Sequence, residues 1–91
     1  MISGLDVYYA LLDIAGEARR RWGGFSIVSV KETQGKVICI LVVGGRRVKV
    51  IVHRRSYSIR VYSGLAGQEI ALRRLLERSL RRRIGGGEVE S

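Results

Sequence analysis

The sequence predicts an α+β domain with an N-terminal helix, a four-stranded antiparallel β-meander and a C-terminal helix. Apolar residues recur at helical spacing from Leu5 to Ala18 and again from Leu65 to Ile84. Between them lie segments rich in valine and isoleucine, separated by the turn signals TQGK, GG and HRRS. At 91 residues and 46% hydrophobic content the chain makes one domain, residues 1–84, because so short a chain buries only about 60% of its unfolded surface and cannot fill two cores.

The first helix runs from Gly4 to about Arg21. Ser3 caps it and Asp6 answers three residues later, an aspartate version of the capping box. Asp6, Asp13 and Glu17 form a narrow polar stripe, whereas Leu5, Tyr8, Leu12 and Ala15 make one apolar line and Val7, Leu11, Ile14 and Ala18 a second. The helix is therefore expected to touch more than one surface. Arg19, Arg20 and Arg21 complement the negative end of its dipole, and Gly23-Gly24 stops it.

Four strands follow at Phe25–Glu32, Lys36–Val43, Arg46–His53 and Tyr57–Ser63. Gly44-Gly45 fits a two-residue primed hairpin turn, which sets Val43 opposite Arg46 and fixes the register. Leu41/Val48, Cys39/Val50 and Val37/Val52 then fall on one face, and Val42/Arg47, Ile40/Lys49 and Ile38/Ile51 on the other. A four-residue loop from His53 to Ser56 sets Val50 against Ile59 and Val48 against Val61, hence Lys49 against Arg60 and Arg47 against Tyr62. The TQGK loop adds Val28 and Val30 to the apolar face. On the opposite face Ile27, Ile38, Ile40, Val42 and Ile51 adjoin Arg47, Lys49, His53, Arg60 and Tyr62. So many adjacent apolar side chains call for cover by the first helix, by a second subunit or by unpaired bases.

The last helix is expected from about Leu65 to Ile84, with Ser63 as N-cap and with Glu69/Arg73 and Glu77/Arg81 as stabilising i,i+4 pairs. Leu72, Leu76 and Leu80 form a seam that either docks on the sheet or joins a second chain into a homodimer or higher homo-oligomer. Gly85–Gly87 ends the helix, leaving residues 85–91 as a flexible, glycine-rich, acidic tail.

Charge is distributed unevenly. Between Glu32 and Glu69 the chain carries Lys36, Arg46, Arg47, Lys49, Arg54, Arg55 and Arg60 without one carboxylate, within a net charge of +9. Such self-repulsion favours a polyanionic partner, and nucleic acid leads over acidic proteins and anionic membranes. Fourteen of the seventeen cations are arginine, whose planar fork suits phosphate and whose flat face suits bases, though a GC-rich or heat-adapted genome also raises that ratio.

Catalysis has little to work with. One histidine, one cysteine and eight acids spread over helix surfaces supply no nucleophile with its base and no metal set, so no catalytic residue, metal, cofactor or small-molecule substrate is expected. The register puts His53 and Cys39 on opposite faces. GGFS and GGG lack the strand before, the helix after and the lysine that a phosphate loop needs. A lone Cys39, no run of about 18 apolar residues, and acids in the first turns predict a cytoplasmic protein without a membrane partner.

The expected activity is binding of single-stranded nucleic acid, DNA before RNA, with low sequence specificity. Arg46, Arg47, Lys49, His53, Arg54, Arg55, Arg60 and Tyr62 are the expected contacts, with cations on phosphates and the ring on a base. The alternative is an assembly module whose basic face meets an acidic partner.

The strand set KVICILVV, RRVKVIV and YSIRVYS with the leucine helix IALRRLLERSL, over residues 4–84, resembles the archaeal single-stranded DNA-binding proteins called ThermoDBP. That resemblance implies a basic cleft, with Arg47, Lys49, Arg60 and Tyr62 as contacts and Leu72, Leu76 and Leu80 at a subunit boundary. The double-stranded RNA-binding domain compares less well, because GLAGQEIAL has no cation at the start of the last helix and the fourth strand is extra.

Overall fold

Ser3 opens the first helix, α1 (Gly4–Trp22), in the computed structural model, which describes the backbone of residues 1–90 and the side chains of residues 1–84. The Asp6 N–H donates to the Ser3 hydroxyl at 3.2 Å and the Ser3 N–H donates to the Asp6 carboxylate at 2.9 Å, the reciprocal cap that the sequence predicts. Gly23 ends the helix at φ +84°, a left-handed conformation that lets its N–H donate to the Arg19 carbonyl at 2.9 Å.

Strands β1 (Phe25–Glu32), β2 (Lys36–Val43), β3 (Arg46–His53) and β4 (Ile59–Tyr62) form one antiparallel sheet in the order β1-β2-β3-β4, and α2 (Ala66–Glu90) follows. The fold is thus the α+β arrangement that the pattern predicts. The β2–β3 register is also as expected, from Val43 opposite Arg46 to Lys36 opposite His53.

Both helices lie on one face of the sheet. Val37, Cys39, Leu41, Val43, Val48, Val50 and Val52 are fully buried there, in one cluster with Val7, Ala10, Leu11 and Ile14 of α1 and Leu72, Leu75, Leu76 and Leu80 of α2. Full burial of each large aliphatic side chain stabilises by roughly 1.5–3 kcal/mol. The helices are tied to each other where the Ser79 hydroxyl donates to the Ala10 carbonyl at 3.2 Å and where Arg83 meets Asp13 at 2.9 Å.

Several expectations need correction. The β3–β4 loop sits one residue later than predicted: the His53 N–H donates to the Ser58 carbonyl, Tyr57 turns the chain at φ +65°, and Val50 pairs with Val61 rather than with Ile59. That slip of two residues keeps every side chain on its predicted face, since side-chain direction has period two. On β1 a bulge between Ile27 and Ser29 reverses the parity of the first half. Ile27 therefore turns to the core side, opposite Leu41, and Val28 turns out.

On α2, Leu72, Leu76 and Leu80 are buried within the chain and leave no surface for an interchain seam, because the two helices pack side by side over the sheet. Among the described residues neither Glu69/Arg73 nor Glu77/Arg81 forms an ion pair. Glu69 is drawn instead to the backbone N–H groups of Ser63 and Gly64, at 2.7 and 2.9 Å. The helix runs on past Gly85–Gly87 to Glu90, since glycine disfavours a helix by about 1 kcal/mol without the steric block of proline. The side chains of the predicted flexible tail and Ser91 lie outside the described residues.

Candidate nucleic-acid interface

With both helices on one side, no helix among the described residues covers the other face of the sheet. Strand alternation assigns that face Ser26, Ser29 and Lys31 from β1; Lys36, Ile38, Ile40 and Val42 from β2; Arg47, Lys49, Ile51 and His53 from β3; and Arg60 and Tyr62 from β4. The observed register aligns them in two cross-strand rows, Ser29–Ile40–Lys49–Tyr62 and Lys31–Ile38–Ile51–Arg60. Rows two residues apart lie about 7 Å from each other, and each spans four strands at about 4.8 Å spacing.

Each row has an isoleucine from β2 inside it and at least one cation. Ile40 and Ile38 are half-buried in the middle, cations stand beside them, and Tyr62, half exposed, ends the first row. The isoleucines owe their partial burial to their neighbours in the sheet, because long cationic side chains cover adjacent apolar surface with their methylene stems.

Among the described residues no carboxylate stands on this face. Of the acids among the described residues, Asp13 is paired with Arg83, Glu17 with Arg21 and Glu32 with Arg54. Asp6 caps α1 and Glu69 holds the backbone before α2. Those contacts lower two pKa values: the Arg83 guanidinium holds Asp13 below the usual carboxylate range, and the Ser63 and Gly64 N–H groups do so for Glu69. Arg47, Lys49 and Arg60 form no ion pair among the described residues, so their field is uncompensated.

The predicted contacts divide into two groups. Arg47, Lys49, His53, Arg60 and Tyr62 share the open face, although Lys49 stands beside Tyr62 and not beside Arg60. Arg55 is exposed in the β3–β4 turn. Arg46 points to the helix side, with its guanidinium 3.5 Å from the Ser63 carbonyl, because its place opposite Val43 gives it core-face parity.

Arg54 is committed to structure. Its guanidinium donates to the carbonyls of Ile2, Thr33 and Gln34 at 2.7, 2.9 and 3.1 Å and meets Glu32 at 3.3 Å, tying the N-terminus to two turns. Residues the predicted contact set omits are Lys31 and the isoleucine row Ile38, Ile40 and Ile51. Parity along the strands was the available signal for all four, since the β1 bulge lies before Ser29 and leaves Lys31 on its predicted face, opposite Ile38.

Cys39 is buried on the core face, and burial pushes its thiol up to about 12, which leaves it without nucleophilic character at neutral pH. Among the described residues no three of His, Cys, Asp and Glu gather where they could hold a metal ion, and no helix is long and apolar enough to cross a membrane.

Fold and surface together define a two-layer α+β domain, with two helices backing a four-stranded meander whose outer face carries cations around an apolar centre. Compared with protein-family profiles, curated proteins and solved structures, the chain gives no significant match.

Proposed function

We propose that this chain is a non-enzymatic single-stranded nucleic-acid-binding protein, with DNA favoured and RNA also accommodated, and with low sequence specificity. The observation that carries the reading is the uncovered sheet face: apolar side chains at its centre, Tyr62 at one margin and cations without counter-charge around them. Exposed bases of a single strand lie flat on such a centre and stack on the tyrosine, while the cations meet the phosphates on either side. A duplex hides its bases, and a broad sheet four strands wide does not enter its grooves as a helix does. The architectural resemblance to ThermoDBP proteins points the same way.

Fluorescence anisotropy with single- and double-stranded DNA and RNA of equal length, across a salt series, tests the reading. Tight binding of single strands with a steep loss on raising salt is expected. No affinity for any oligonucleotide at low ionic strength overturns it. A second reading, an assembly module with an acidic protein partner, draws on the half-buried Ile38, Ile40, Val42 and Ile51, which would also suit a protein surface. Under that reading, Tyr62→Ala leaves partner binding almost unchanged.

A further inference from the structure

Beyond the open face, the sheet has an unpaired edge at β4, and this edge opens onto a groove of about 370 Å³ between β4 and α2. Arg60 and Tyr62, already part of the open face, also line this groove, so the two surfaces are continuous. From α2 the groove receives Glu69, Ile70 and Arg73. Ile70 in turn lines a second groove of about 330 Å³, with Arg74, Arg78 and Arg21, on the outer side of the helix layer.

Three details make this path fit for an anion. In an antiparallel pair the hydrogen-bonded positions alternate, and the His53–Ser58 bond places Arg60 and Tyr62 in bonding register with β3. The backbone N–H groups of Ile59 and Val61 consequently face the groove as neutral donors, alternating with the carbonyls of the same residues. Among the described residues Glu69 is the one carboxylate lining either groove, and its Oε2 is engaged by the Ser63 and Gly64 N–H groups, which offsets part of its charge. Arg73, Arg74 and Arg78 are exposed and form no ion pair among the described residues.

Resting on the proposed function, we infer that a bound single strand leaves the sheet over the β4 edge and continues through both grooves, its phosphates held by Arg73, then Arg74 and Arg78. The turn from the sheet face to the helix layer takes place within the thickness of a small domain. A single strand bends that sharply at little cost, whereas a duplex, stiff over about 150 base pairs, does not. The α2 arginines therefore lengthen the site and add to the preference for single strands that the sheet face gives.

The experiment uses the full chain, a triple variant R73Q/R74Q/R78Q and the single variant Tyr62→Ala, with oligothymidylates of increasing length and duplexes as probes, and urea unfolding to verify that each variant is folded. All three arginines are exposed, so the triple variant should fold. The wild type should gain affinity with length beyond the point where the triple variant reaches its plateau, and the two should bind the shortest oligonucleotide alike. Losing three phosphate contacts lowers the salt slope by about 2, so a fourfold rise in salt should cost the variant about 20-fold less affinity than the wild type.

If the triple variant matches the wild type at every length while Tyr62→Ala weakens binding, the strand stays on the sheet and the inference fails with the proposed function intact. If the wild type binds no oligonucleotide, both fail. Polyglutamate binding equal to that of the oligonucleotides, lost equally in the triple variant, would also overturn the inference by making the track a general polyanion surface.

Discussion

On β2, Leu41 has no exposed surface and Ile40, its neighbour in sequence, is half-buried on the other side of the sheet. The same contrast holds along β3, where Val48, Val50 and Val52 are fully buried and Arg47 and Lys49 stand in solvent. One face closes on two helices and fixes the fold, while the other has no helix over it among the described residues. Because side chains alternate, stability and the proposed ligand contact fall on adjacent residues without sharing any, and substitutions one position apart separate them.

The largest effect is expected at that pair. Leu41→Ala removes a buried side chain and leaves a cavity, at a cost of about 2–5 kcal/mol in urea unfolding, a large share of the stability of a domain this size. Ile40→Ala, half-buried and free to relax, should cost less than about 1.5 kcal/mol. Equal losses at the two positions would break the comparison, because they would mean that the outer face is covered in the folded protein too.

Arg54 comes next, since it sits among the cations of the sequence yet belongs with the core in its role. Its three carbonyl contacts and the Glu32 pair leave the side chain 14% exposed. Arg54→Ala should therefore destabilise by about 2–3 kcal/mol, as hydrogen bonds to a charged group are lost, and should not alter the salt dependence of binding. Arg55→Ala, one residue on and exposed, should change stability by less than about 0.5 kcal/mol. Loss of affinity without loss of stability in Arg54→Ala would return it to the contact set.

These two residues show what the sequence made legible. Hydrophobic period, capping and the Gly44-Gly45 turn placed the elements and the β2–β3 register, because those signals are local and each has few structural solutions. Arg54 and Arg55 are indistinguishable by such signals, as what separates them is the convergence of Ile2, Thr33 and Gln34, residues distant in the chain. The β1 bulge was hidden for a related reason: SIVSV alternates no better with the bulge than without it, so packing decided between Ile27 and Val28. Leu72, Leu76 and Leu80 were equally suited to a sheet or to a second chain, and only the side-by-side helices resolve that.

Tyr62 sharpens the comparison from the other side. Its ring is 50% exposed, so Tyr62→Ala should leave the urea midpoint nearly unchanged. Loss of a stacked base should weaken oligonucleotide binding by about 1–3 kcal/mol. Tyr9, 47% exposed on α1 and beside the Arg83 guanidinium at 5.4 Å, is the matched control on the helix side. Tyr9→Ala should leave binding at the wild-type level, and equal weakening by both would disconnect affinity from the open face.

Acid gives the smallest effect and again distinguishes the faces. Asp13 and Glu69, both off the open face, have pKa values depressed in the folded chain, by the Arg83 guanidinium and by two backbone N–H groups respectively. A depressed folded value means that the unfolded chain binds protons first as pH falls. Their stabilisation is therefore full at neutral pH and is lost as pH drops from about 4 through the folded values. Glu69→Gln should flatten that acid loss in urea midpoints measured between pH 6 and 2.5, with little change above pH 5 beyond a constant offset. A variant whose midpoint still falls as steeply with acid as that of the wild type would show that the Ser63 and Gly64 bonds to Glu69 contribute nothing to holding α2 against the edge strand.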